Sequence, residues 1–135
     1  MSTSTPLFQK VDCIRLHVSD LDEALAFYRD RLGHDLVWRS DRSAGLRMPD
    51  TDTEIVLHTE ERGQEIDLKV EAADAAAVRF VEAGGTVLVP PFDIQIGRCV
   101  VVTDPWGNPL VLLDTSKGLL ITDDAGNIIG HQTES

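Results

Sequence analysis

One offset organises this sequence. Slid by 52 positions, Cys13 lies over Glu65, Ile14 over Ile66, Leu16 over Leu68 and Val18 over Val70. Without a gap, Ala24 then meets Ala76, Gly33 meets Gly85, Leu36 meets Leu88 and Val37 meets Val89. Farther on, at an offset of 55, EIVLH (54–58) lies over PLVLL (109–113). Two halves of one chain share a plan, and at 135 residues that chain is one domain's worth, long enough for a real core.

Each half opens with alternation of the strand type, CIRLHV and then EIDLKV. A helix follows. Leu21, Leu25, Tyr28 and Leu32 make one helical stripe, and Ala73, Ala77, Phe80 and Gly84 repeat its spacing. Ser19 is the expected N-cap of the first helix, and Gly33 and Gly85 are the expected residues just past the helix ends. Three strands are predicted after each helix, around 35–39, 44–48 and 54–59 and around 86–89, 98–103 and 109–114, with Pro90-Pro91 and the turn DPWGNP punctuating the second set. The plan is βαβββ, twice. It predicts an α+β fold with a polar tail over 1–10, one domain over 11–116 (modules 11–62 and 63–116) and a hairpin or arm over 117–135, where Leu119, Leu120, Ile128 and Ile129 would need cover.

Alternation also assigns faces. Ile14, Leu16, Val18, Ile55, Leu57, Ile66, Leu68, Val70, Leu110 and Leu112 belong to the side covered by helices. The other side carries Cys13, Arg15, His17, Glu54, Val56, His58, Glu65, Asp67, Lys69, Val111 and Leu113. Aliphatics mixed with charges suit the wall of a pocket better than an open, solvated face. Trp38, Phe92 and Trp106 are candidates for its rim, and PPFDIQIGR is expected to lie between strands as a lid.

The paired modules, with I-x-L-x-V-S-D-L-x-x-A-x-x-F-Y-x-D-x-L-G and TDPWGNPLVLLD, resemble the vicinal oxygen chelate superfamily, which includes glyoxalase I, extradiol dioxygenases, fosfomycin-resistance enzymes and bleomycin-resistance proteins. The resemblance implies a cupped eight-stranded mixed sheet, helices on its outer face and a homodimer. It also implies a divalent metal held by His, Glu or Gln. Carried over by position, the four ligand slots are Cys13, Val56, Glu65 and Val111. Valine cannot coordinate a metal, and a soft thiol beside a hard carboxylate is an odd remainder. No cofactor is therefore expected, although Cys13, His17, His58 and Glu65 could together hold a displaced divalent metal such as zinc.

The net charge of −11 disfavours nucleic acid and anionic membranes as partners. Two cysteines make no disulfide framework, the first ten residues carry no signal pattern, and a cytoplasmic location is expected. The leading functional expectation is a metal-free protein that binds a small organic molecule in the cup, through Arg15, His17, Val56, His58, Glu65, Asp67, Lys69, Val111 and Leu113. The alternative is a lyase, isomerase or dioxygenase. It would use the displaced metal or acid–base chemistry, with His17, Glu65 and Cys13 as catalytic candidates.

Overall fold

Alternating apolar residues on the first strand of each half make two ribbons that pair along their length and so join the halves. Strand β1 (Lys10–His17), helix α1 (Leu21–Leu25) and strands β2 (Leu36–Arg39), β3 (Ser43–Arg47) and β4 (Glu54–His58) form the first module. The second comprises β5 (Glu65–Lys69), α2 (Ala73–Glu82), β6 (Thr86–Ile94), β7 (Gly97–Thr103) and β8 (Pro109–Leu113). A hairpin, β9 (Leu119–Thr122) and β10 (Ile128–Gln132), follows. The computed structural model describes residues 5–122 and 124–132, and only the backbone at 119–122 and 128–132, so the side chains of Leu119, Leu120, Ile128 and Ile129 lie outside the described residues.

The eight strands form one open, cupped sheet in the order β2-β3-β4-β1-β5-β8-β7-β6. β1 pairs in parallel with β4, and β5 with β8, while the central β1–β5 pair is antiparallel, with Ile14 opposite Ile66. That pairing is a pseudo-twofold axis. It relates Cys13 to Glu65, as the 52-residue offset requires.

The helices cover the outer face in two separate patches. Leu21, Ala24 and Leu25 of α1 pack with Ala44, Leu46 and Leu57. Ala73, Ala76 and Ala77 of α2 pack with Leu68, Val70, Val100, Val102 and Leu112. Between them the midline is less covered, and Ile66 is left exposed. Leu7 packs against the α2 patch and the Gln9 amide donates to the Lys69 carbonyl, so residues 5–9 run on beside β5 rather than trailing away as a polar tail.

Helix α2 has no capping side chain of its own at Ala72. The buried Asp114, just past β8, supplies the acceptor: Oδ2 takes the Ala73 amide at 2.8 Å and Oδ1 the Arg98 amide at 2.9 Å. Burial works against its charge, but these bonds and those from Ser116 hold its carboxyl below the ordinary range. Gly97 has to be glycine, because a Cβ there would run into Asp114.

Several local expectations are corrected. Asp20, not Ser19, caps α1, accepting the Glu23 amide at 2.9 Å. The helix widens into a π-helix over Ala26–Arg31, with the Leu32 amide donating to the Phe27 carbonyl five residues back. That extra residue per turn rotates the stripe off the sheet and leaves Leu32 exposed. Gly84, with φ +117°, takes the left-handed position assigned to Gly85. Pro90 and Pro91 do not end a strand. β6 is the sheet's edge and shifts register between Val89 and Phe92, so the missing amides cost no ladder bonds. PPFDIQIGR is thus mostly strand and tight turn, not a lid.

The C-terminal hairpin reaches the opposite edge of the sheet from β6. The Arg39 amide donates to the Gly126 carbonyl at 2.6 Å, and Gly126 needs its φ of +88° with Leu36 packed close beside it.

Candidate functional site

The register converts the repeat into a floor. One row across the sheet runs Val56, Arg15, Glu65; the next runs Glu54, Cys13, Asp67, Val111, Val101. These side chains share the concave face and line a cavity of about 630 Å³, within the usual range for small-molecule sites. Phe92, Ile94 and Ile96 of the β6–β7 hairpin, with Leu113 and Cys99, form one apolar wall. Trp38 faces them across the cup. Its ring lies over Gly45, where a Cβ would collide with the indole, and its Nε1 donates to Glu54 Oε1 at 2.7 Å.

Of the residues expected to contact a ligand, Arg15, Val56, Glu65, Asp67, Val111 and Leu113 line this cavity. Three others do not. His17 stands at the end of β1 and is exposed. Lys69 turns to Gln9, donating to Oε1 at 2.8 Å. His58 is fully buried beneath the edge of His17, their rings 5.8 Å apart, and neither of its nitrogens has a partner. Burial and then the nearby Arg15 charge lower the pKa of His58. Trp106 is 83% exposed in its turn, far from a wall residue in character. Sequence reasoning missed Arg62, in the loop before β5, whose Nη1 lies 3.2 Å from Glu65 Oε1. Its i, i+3 spacing from Glu65 was the available signal. Cys99 and Val101 were hidden because CVVV is apolar on both faces.

The floor holds charge under unusual conditions. Arg15 Nε lies 3.8 Å from Glu65 Oε2, an ion pair but too long for a hydrogen bond, and that N–H is buried without a partner. Cys13 Sγ donates to Asp67 Oδ2 at 3.3 Å, whereas Asp67 Oδ1 is buried and unpartnered. Burial, and then the adjacent Glu65 carboxylate, push Asp67 up to about 8. Burial followed by the Asp67 charge raises the Cys13 thiol, and burial pushes Cys99 up to about 12. Both sulfurs are therefore thiols at neutral pH and poor nucleophiles. Burial also raises Glu54 and Asp12.

The positions that the family resemblance assigns to metal ligands hold a cysteine, two valines and one carboxylate already paired with two arginines. They do not fit a divalent ion. Among the described residues, no group of three His, Cys, Asp or Glu side chains converges as a metal site. The displaced set of Cys13, His17, His58 and Glu65 is not brought together, because the histidines stand at the strand ends beyond the cavity lining.

The family profile described as Glyoxalase/Bleomycin resistance protein/Dioxygenase superfamily matches residues 10–112. No curated protein matches the sequence. Among solved structures, methylmalonyl-CoA epimerase from Mycobacterium tuberculosis superposes with a TM-score of 0.69 at 23% identity, covering 84% of this chain and 92% of that one. Methylmalonyl-CoA epimerase from Streptomyces coelicolor, in complex with 2-nitronate-propionyl-CoA, gives 0.67 at 22% identity over 81% and 99%. A hypothetical protein from Bacillus halodurans gives 0.67 at 18% over 78% and 93%. At these identities the likeness establishes the fold.

Asp67 has a consequence for stability. Its native pKa is raised, so between about pH 4 and about pH 8 the folded chain keeps a proton that the unfolded chain has lost, and stability falls as pH rises through that window. Asp67→Asn should remove this slope. Calorimetry is expected to find the variant gaining in Tm over the parent at about pH 8.5 and not at about pH 4. A difference that is constant with pH would contradict the assignment.

Proposed function

Because the chain belongs to the Glyoxalase/Bleomycin resistance protein/Dioxygenase superfamily, we propose that it binds a small organic molecule in its cup and does so without a divalent metal. The observation that carries this reading is the lining of the cavity: Val56 and Val111, at positions that the family resemblance assigns to ligands of an ion, line a volume fit for an organic molecule. An apolar body would lie against Val56, Val101, Val111, Leu113 and Phe92. Burying roughly 200 Å² of it would contribute about 5 kcal/mol before the costs of association are subtracted. Arg15, Glu65 and Asp67 would orient the polar end. A cytoplasmic dimer is part of the same reading.

A second reading is an isomerase acting by proton transfer without a metal, and one observation favours it: Asp67, raised to about 8 beside Glu65, can hold or release a proton near neutral pH. Asp67 takes the place that His17 held among the expected catalytic residues, because His17 lies outside the cavity.

The two readings have separate tests. For binding, a thermal-shift screen of small organic acids, thioesters and aromatic compounds should find ligands that raise Tm by several degrees, equally with and without EDTA. Val111→Trp, which fills the cup, should abolish the shift while the fold persists. A shift that disappears with EDTA and returns with added metal would overturn the metal-free reading. For proton transfer, incubation of methylmalonyl-CoA in deuterated water should give protein-dependent exchange at its α-carbon, lost in Asp67→Asn. No exchange above background would remove the isomerase reading for that substrate and leave binding in place.

A further inference from the structure

The charges of the cup do not balance. Its lining holds three cations, Lys10, Arg15 and Arg62, against five carboxyls, Asp12, Asp52, Glu54, Glu65 and Asp67. The cations are already engaged. Lys10 Nζ lies 2.6 Å from Asp52 Oδ2. Arg15 and Arg62 both bear on Glu65, and Arg62 is shared with Glu60 at 2.9 Å. Lys69, which acts on Asp12 from a distance, donates to Gln9, and Arg47, which acts on Glu54 from β3, lies outside the lining. Asp12, Glu54 and Asp67 are left without an ion pair among the described residues. A proton shared by Glu65 and Asp67 reduces the negative excess and does not reverse it.

These three carboxyls surround Cys13. The register sets Glu54 opposite Cys13 on one side and Asp67 opposite it on the other, and Asp12 precedes it at the bulge where β1 changes register with β5. Glu54 has a neutral donor in the Trp38 indole, and Asp67 Oδ2 has one in the Cys13 thiol. Asp67 Oδ1 has none. That side chain is 4% exposed, lines the cavity and stands beside Glu65, a second acceptor. A buried carboxyl oxygen without a donor is costly, and so is an unbalanced negative floor; a ligand that brings N–H donors and positive charge relieves both. A bare divalent ion does not meet this need, because among the described residues no three of these side chains converge on one point.

We propose that the cup takes an organic amine in its ammonium form, with an N–H directed at Asp67 Oδ1, the positive charge held among Asp67, Glu54 and Asp12, and the apolar body against Phe92, Ile94, Val111 and Leu113. The inference rests on the cup being a binding site and adds the class of ligand it takes. Trp38 lines the same cavity, and an indole face is the best aromatic surface for a cation. The net charge of −11 draws a cation toward the mouth from a distance. An anion of the same shape meets the opposite conditions. It must part Lys10 from Asp52, or the arginines from Glu65, before it finds a free cation.

Benzylamine, benzyl alcohol and benzoate share a ring and differ in charge, so together they are the probe, at about pH 7.5, where an alkyl ammonium is ionised. The protein carries its own reporter and control: the Trp38 Nε1–H lies in the cup, and that of Trp106, 83% exposed in the turn before β8, lies outside it. In nitrogen–proton spectra benzylamine should shift the Trp38 signal saturably and leave Trp106 in place. Its affinity should exceed that of benzyl alcohol by at least about tenfold, and benzoate should bind more weakly than the alcohol. Glu54→Gln, which keeps an acceptor for the Trp38 indole, and Asp12→Asn should each weaken benzylamine about three- to tenfold and leave benzyl alcohol unchanged. Glu82→Gln, which removes the same charge from an exposed position on α2, should change neither. The alcohol or benzoate binding as tightly as the amine, a shift linear to about 50 mM benzylamine, or an equal loss in Glu82→Gln would each overturn the inference. If uncharged aromatics still stabilise the protein in the thermal-shift screen, the cup remains a binding site and only the class of ligand is wrong. If the three probes and the screen all fail to bind, both readings fall.

Discussion

The antiparallel pairing of β1 with β5 is the contact on which the rest depends. Ile14 opposite Ile66 fixes the pseudo-twofold axis, and because side chains alternate along a strand, a slip of one residue would turn every cup residue outward. The same register brings Cys13 to Asp67 and Arg15 to Glu65 on the inner face. Each flanking parallel pair then adds its own residue to the floor, Val56 beside Arg15 and Val111 beside Asp67. No single strand holds the site. It exists only as the meeting of two modules.

That floor is expensive, and the structure shows how the cost is contained. Glu65 shares two arginines, one supplied by β1 and one by the preceding loop. Glu54 is held by the Trp38 indole, which can lie flat only because residue 45 is glycine. Asp67, left with no cation of its own, keeps its proton instead, since an unpaired buried charge is costlier than a neutral carboxyl. The outer face is simpler, two aliphatic patches under two helices, with Asp114 reaching from the end of β8 to cap one of them. Stability is concentrated outside the cup and ligand chemistry inside it.

Much of this was legible in the sequence, because the repeat reports symmetry and alternation reports faces. The βαβββ plan of each half and the inner-face set follow from those two signals, while the loss of the metal slots at Val56 and Val111 is read from the family resemblance. What stayed hidden depends on events that neither signal encodes. The Leu21–Leu32 stripe reads as one α-helix, yet the π-helical turn over Ala26–Arg31 turns Leu32 to solvent. Alternation puts His17 and His58 on the correct face but cannot say that β1 and β4 outrun the cavity. Lys69 alternates with Asp67 and looks like its counter-ion; the nearer acceptor is Gln9, from a segment that seemed to be tail. Long-range partners such as Trp38–Glu54 leave no local mark at all.

The central claim is that this member of a metal-chelating superfamily works with a floor that holds no metal. Elemental analysis of protein purified without chelators or a metal-affinity column tests it most directly. The account predicts zinc, iron, manganese and nickel well below stoichiometric amounts, unchanged by Glu65→Ala. About one such ion per chain, lost in that variant, would contradict it.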